Sequence, residues 1–124
     1  MGSIETYSDL IAWQKAMVTC LAVYHVTLSF PDCERYGLTS QMRRAAVSIP
    51  SNIAEGFGRG QTREYLRYLC IARGSTFELE TQSRIARHLG YFTVEGDEHM
   101  MRALRDSGRV LGGLIRSLER HQRS

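Results

Sequence analysis

Two prolines in 124 residues leave long stretches of this chain without a breaker, and aromatic residues make up only 9% of it. A many-turned β sandwich needs more punctuation and more strand-forming material than that. Cysteine is scarce as well: Cys20, Cys33 and Cys70 form an odd, widely spaced set with no CxxC pair. They indicate neither a disulfide framework nor a zinc site, and reduced thiols in a cytoplasmic protein are the expectation. No run of about 18 apolar residues occurs, so no membrane-spanning helix is expected. The first ten residues carry Glu5 and Asp9 and lack a basic stretch followed by an apolar one, so they do not read as a secretory signal. What remains is an ordinary globular balance, 43% hydrophobic and 23% charged, in a chain long enough for one domain with a real core.

Lysine is the next absence. Lys15 is the only one, and every other basic residue is arginine, whose flat five-donor fork suits phosphates and carboxylates. The formal net charge is only +3, but it is unevenly placed. The first third is slightly acidic and the last third nearly neutral. Between residues 39 and 90, eight arginines face four glutamates. A polyanion, if met, is met there.

Hydrophobic spacing predicts four helices, near residues 8–29, 39–57, 62–89 and 94–119. On the first, Leu10, Trp13, Met17, Leu21, Tyr24 and Leu28 form the stripe of an amphipathic helix, with Ser8 or Asp9 as its cap. Phe30-Pro31 ends it. The second carries Met42, Ala46, Ile49, Ile53 and Phe57 on one side, with Thr39 as cap. Pro50 lies inside it, which means either one kinked helix or two helices broken near Ser48; uninterrupted apolar phase favours the kink. Gly56-Phe57-Gly58-Arg59-Gly60 reads as a strong break. Thr62 caps the third helix, whose inner side is Leu66, Leu69, Ala72, Thr76, Leu79, Ser83 and Ala86, with the small pair Gly74-Ser75 inviting close approach by a neighbour. Gly90 stops it. Thr93 caps the fourth, where Met101, Leu104, Gly108, Leu111, Ile115 and Leu118 make a heptad seam; the tail from Arg116 to Ser124 should fray. Short connections between four such helices predict an antiparallel, up-and-down four-helix bundle in one domain, 1–124. Trp13, Leu21, Ile49, Ile53, Leu69, Leu79, Leu104 and Leu111 are the expected core.

Catalytic chemistry finds little to stand on. The glycines at 56, 58 and 60 lack the strand and spacing of a dinucleotide fingerprint and the Gly-Lys-Ser/Thr of a phosphate loop. His25, His88, His99 and His121 are far apart, so neither a metal nor a cofactor is expected, and no serine sits in a GxSxG turn. Glu78 and Glu80 point about 200° apart on a helix and cannot act as a pair. A non-enzymatic role is therefore expected. The arginines offer more. Arg59, Arg63 and Arg67 are spaced i, i+4, i+8, Arg43 and Arg44 stand on the preceding helix, and Tyr65 and Tyr68 interleave where bases would stack. The competing reading is a solvated face paired with Glu64 and neighbouring acids, or Arg44 or Arg73 paired with Glu55, Glu78 or Glu80 inside the bundle or between subunits. Ser48, Ser51, Asn52 and Glu55 lie close to an apolar stripe. With Glu78 they read as a hydrogen-bonded network fixing the bundle's register, not as a catalytic site.

Apolar residues also lie off the seams: Ile11, Val18, Ala22 and Val26 on the first helix, Tyr65, Tyr68 and Ile71 on the third, and Val110 and Leu114 on the fourth. A monomer would expose part of this as a patch, so self-association is expected.

Several runs resemble a known family. They are Trp13-Gln14-Lys15-Ala16; Phe30-Pro31-x-x-Glu34-x-Tyr36-Gly37-Leu38-Thr39-x-Gln41-x-Arg43-Arg44-Ala45-Ala46; Ser48-Ile49-Pro50-x-Asn52-Ile53-Ala54-Glu55-Gly56-x-Gly58-Arg59; and Ala72-x-Gly74-Ser75-x-x-Glu78-Leu79-x-Thr81-Gln82. They look like the four-helix-bundle proteins encoded in 23S ribosomal RNA intervening sequences, relatives of the accessory variability proteins of diversity-generating retroelements. The resemblance spans roughly residues 7–92. It implies a homopentameric barrel with a positive surface, and, from the retroelement relatives, binding to RNA or DNA and to a nucleic-acid-processing protein. The retroelement relatives depend on many basic residues, and this chain at +3 departs from that pattern. The expectation carried forward is an oligomeric, nucleic-acid-associated adaptor whose contacts include Arg43, Arg44, Arg59, Arg63 and Arg67. The alternative is a protein–protein interaction module that binds no nucleic acid.

Overall fold

The computed structural model describes residues 3–123, and side chains as far as Gln122; Met1, Gly2 and Ser124, part of the terminal segments considered above, lie outside the described residues. Four helices account for most of the chain: α1 (Ile11–Thr27), α2 (Leu38–Gly58), α3 (Thr62–His88) and α4 (Val94–Arg123), with single 3₁₀ turns at Tyr7–Asp9 and Asp32–Glu34. Among the described residues there is no strand. α1 packs on α2 and α4, α3 packs on the same two, and the diagonal pairs do not meet. With short connections this is an all-α, antiparallel four-helix bundle.

Each boundary has a local cause. Asp9 does not cap α1: its Oδ2 accepts the Glu5 and Thr6 amides at 2.9 and 3.1 Å, closing the turn before the helix. α2 begins one residue earlier than Thr39, because the Glu34 carboxylate accepts the Leu38 amide at 3.0 Å. It runs through Pro50 as one helix and continues through Gly56 to Gly58. The glycine-rich segment is thus not a break as a whole. Only Gly60, with φ of +76°, takes the left-handed conformation that ends it. Gly56 serves another purpose. A Cβ there would lie 2.6 Å from Tyr68 Cβ and 3.2 Å from the Tyr65 carbonyl, so its missing side chain lets α2 and α3 touch. Gly74, expected to do this, faces open space, and Ser75 beside it is the buried member of the pair. α3 ends in a Schellman motif. Gly90 adopts φ of +75°, its amide bonds to the Arg87 carbonyl, and the Tyr91 amide bonds to Ala86. Thr93 Oγ1 accepts the Gly96 amide at 3.0 Å and so caps α4, which stays helical well past residue 119.

The core is filled as the spacing of α2, α3 and α4 requires. Met42, Ile49, Ile53, Leu69, Leu79, Leu104, Leu111 and Ile115 are essentially sealed from solvent. Met100 and Ser107 join the α4 seam beside its expected members. Buried Thr76 and Ser83 satisfy their hydroxyls on carbonyls four residues back.

The inward face of α1 is turned by one residue, about 100°, from the one expected. Its buried residues are small (Ala12, Ala16, Thr19, Cys20, Ala22, Val23, Val26 and Thr27), whereas Leu21 is 63% and Leu28 75% exposed. Trp13 is only half-buried, its ring edge-on to Tyr7 at 5.3 Å. Apolar residues surround this helix, so size decided its orientation. Small side chains let α1 sit close against α2 and α4, where Thr19 Oγ1 lies 2.9 Å from both the Ala103 carbonyl and Ser107 Oγ.

One end of the bundle is stapled by aromatics. The loop after α1 and the loop after α3 meet there: the Phe30 ring lies 5.4 Å from those of both Tyr91 and Phe92. Tyr91 also donates its hydroxyl to Glu34 Oε2 at 2.9 Å.

Candidate nucleic-acid interface

The expected arginines do not form one stripe; they divide between two grooves. Arg43 and Arg44 line a groove of about 840 Å³ along the outer face of α2, together with Tyr24, Arg35 and Tyr36. Arg63 and Arg67 line another, of about 610 Å³, between the start of α3 and the end of α4, facing Glu119 and Gln122. Arg59 caps α2 instead of extending α3. It meets Arg67 across Tyr68, whose ring has the Arg59 guanidinium at 5.0 Å and that of Arg67 at 4.7 Å. Arg59 also donates to the Tyr68 hydroxyl at 2.7 Å.

The arginines differ in how far they are already engaged. Arg59 pairs with Glu55 at 3.5 Å, Arg67 with Glu64 at 3.0 Å, Arg84 with Glu80 at 3.4 Å, and Arg87 with both oxygens of Asp97 at 2.8 and 3.0 Å. The Arg67 hydrogen bond, reinforced by the charges of Arg67, Arg59 and Arg63, holds the Glu64 carboxyl below its ordinary value. Such solvent-facing pairs are screened by water, contribute little to stability and yield readily to a competing phosphate. Arg43 has no carboxylate. Its Nε donates to Thr27 Oγ1 at 2.9 Å, and its guanidinium stacks on Tyr24 at 4.7 Å, fixing its position while its charge stays uncompensated. Arg44 and Arg63 make no ion pair or hydrogen bond among the described residues, and neither does Glu78, so within one copy of the chain the considered pairings of Arg44 with Glu55, Glu78 or Glu80 do not form. Arg73 reaches only Cys70 Sγ, at 3.8 Å.

Tyr68 sits where the interleaving of arginine and tyrosine placed it, but Tyr65 does not offer a stacking face. It is packed edge-on against Phe57 at 5.9 Å, and burial pushes its hydroxyl up to about 12. The hydroxyl is buried without a partner. Val110 and Leu114 likewise pack against the core instead of standing off it, while Ile71 is 42% exposed.

The expected polar network is smaller and differently composed. Ser48 Oγ lies 2.8 Å from Ser75 Oγ across the α2–α3 contact, and Asn52 Nδ2 donates to Ser48 Oγ at 2.9 Å and to its carbonyl at 2.8 Å. Glu55 stands at the surface with Arg59, and Glu78 is exposed beside Gln41 and Arg44, so neither carboxylate belongs to the network. Sequence spacing missed Arg35 and Tyr36 because they sit in a turn, where helical periodicity carries no information. Among the described residues no three His, Cys, Asp or Glu side chains cluster as a metal site, and no helix is long and apolar enough to cross a membrane.

A family model described as "23S rRNA-intervening sequence protein" matches residues 8–113. A crystal structure from Bacteroides thetaiotaomicron VPI-5482, described as a protein with unknown function from the S23 ribosomal protein family, superposes with a TM-score of 0.77 at 19% identity. It covers 87% of this chain and 97% of that one. At that identity the likeness speaks to the fold. No curated protein matches the chain.

Proposed function

The chain belongs to the 23S rRNA-intervening sequence protein family, and from that premise we propose that it is a non-enzymatic, cytoplasmic adaptor that assembles with copies of itself and holds RNA or DNA through arginines. The carrying observation is that three of the expected contact arginines, Arg43, Arg44 and Arg63, have no carboxylate partner among the described residues, while the pairs made by Arg59 and Arg67 are solvent-facing and weak. The resemblance adds a nucleic-acid-processing protein as a further partner. Self-assembly is supported by the outer face of α1, where Ile11, Val18, Leu21 and Leu28 follow heptad spacing and are between 51% and 75% exposed. The resemblance singles out a homopentamer, a closed ring of repeated heterologous contacts.

Binding of RNA and DNA measured against salt tests the nucleic-acid part. Contacts with several phosphates make log affinity fall by about 0.7–0.9 per neutralised charge for each decade of salt. A flat or absent response leaves a protein–protein interaction module, the reading favoured by the engagement of Arg59, Arg67, Arg84 and Arg87 with carboxylates.

A further inference from the structure

We infer that the groove along α2 is a site for unpaired nucleotides of single-stranded RNA or DNA, with phosphate held by Arg43 and Arg44 and a base stacked on Tyr36. The inference rests on the nucleic-acid reading above and narrows it, both in place and in the class of ligand. Three guanidiniums line this groove, those of Arg35, Arg43 and Arg44, against the single carboxylate of Glu55. That carboxylate already has Arg59 beside it. Arg43 is pre-positioned: Nε bonds to Thr27, Nη2 reaches the Tyr24 carbonyl at 3.4 Å and the guanidinium lies on the Tyr24 ring, which orders the side chain and leaves its other N–H groups for an oxyanion. Arg44 has no ion pair or hydrogen bond to give up. The hydroxyls of Ser40 and Ser51 also line the groove and make no hydrogen bond among the described residues, which adds two neutral donors to the charged ones.

The aromatic part is equally specific. Tyr36 is 87% exposed, the highest exposure among the large apolar and aromatic side chains of the described residues. Its only ring neighbour among the described residues is the Arg35 guanidinium, at 5.5 Å from the centroid. An aromatic face held beside a cation at the mouth of a positive groove is the stacking platform that single-stranded nucleic acid uses, since every base has a π face and stacks without sequence readout. A duplex keeps its bases stacked on one another and offers Tyr36 nothing. The preference for unpaired nucleotides follows from that difference. The volume of about 840 Å³ is of ligand-pocket size and takes no more than one or two nucleotides.

The test is fluorescence anisotropy with a labelled short oligouridylate and a duplex of equal length, using the full chain and variants at exposed positions that leave the core untouched. The wild-type chain should bind the oligouridylate more tightly than the duplex. Tyr36→Ala should weaken that binding about fivefold or more, and Arg44→Gln should lower the salt slope by about 0.7. Both should keep wild-type helix content by circular dichroism. Equal affinity for single strand and duplex overturns the inference. Affinity that survives Tyr36→Ala and Arg44→Gln but falls with Arg63→Gln/Arg67→Gln overturns the groove and leaves nucleic-acid binding standing. No binding of either probe by the wild-type chain removes both. A changed assembly mass in Tyr36→Ala with unchanged oligouridylate affinity makes the tyrosine a contact between copies and also overturns the site.

Discussion

Glu34 and Tyr91, fifty-seven positions apart in sequence, join the two loops at one end of the bundle through a 2.9 Å hydrogen bond. The same carboxylate accepts the Leu38 amide through its other oxygen, so one side chain both starts α2 and holds the α3–α4 connection. The Leu38 amide first, and the Tyr91 hydroxyl second, keep the Glu34 carboxyl below its ordinary value near 4.5. A depressed carboxyl stabilises the fold above its unfolded-state value and loses that contribution as pH falls through the folded one. Glu34→Gln should therefore flatten the drop in melting temperature below about pH 4.5 that the wild-type chain shows. Thermal scans of both proteins from neutral to acid pH check this, and parallel curves would mean the clasp carries no net energy.

Leu79 and Leu111 are at most 1% exposed. Leu79→Ala and Leu111→Ala should each cost about 2–5 kcal/mol in urea unfolding, with the slope unchanged. A change below about 0.5 kcal/mol at both would place the core elsewhere.

Leu21 gives the opposite expectation. Leu21→Glu should leave the bundle folded but shift its mass in light scattering toward 14.1 kDa, the monomer. Wild-type protein at micromolar concentration should scatter as five times that mass. An even-numbered assembly keeps the α1 interface and rejects the ring of five. A wild-type monomer rejects both.

Gly56→Ala should destabilise by about 1–3 kcal/mol, the range for overpacking a tight contact. The new methyl would press on Tyr68 Cβ, at the α2–α3 contact, with no flexible chain end to move aside. Gly58→Ala meets open space and is the matched control, measured in the same denaturant series.

Arg63→Gln/Arg67→Gln should weaken RNA binding and lower its salt slope by about one to two units, with helix content intact. An unchanged slope would leave Arg63 and Arg67 outside the contact surface and confine it to the α2 groove and the Arg116–Arg120 end of α4.

The bundle itself was legible because α2, α3 and α4 each carry one apolar stripe, and Ile53, Leu69 and Leu104 fall on it. α1 was not, because Leu21 and Ala16 are both apolar and periodicity does not weigh size. Packing does: the smaller residues went inward, where two neighbouring helices come close. The candidate interface was legible as composition and not as shape. The arginine spacing joined Arg59, Arg63 and Arg67 into a line, yet Arg59 lies on the preceding helix and Tyr65 belongs to the interior. Arg35 and Tyr36 were not read as contact residues because a turn has no face until its flanking helices are placed.

The aromatic staple makes the two ends of the bundle unequal partners in opening. Phe30, Tyr91 and Phe92 bind the loop after α1 to the loop after α3, whereas the opposite end has the Gly60 turn and the far reach of α4. Amide protons near Leu38 and Ala86 should then exchange with solvent only in global unfolding. Those of Phe57 and Leu118 should exchange through smaller openings that begin at the unstapled end. The second arginine groove, with Arg63 and Arg67, lies at that end, so a strand bound there would slow exchange most where the free protein breathes most.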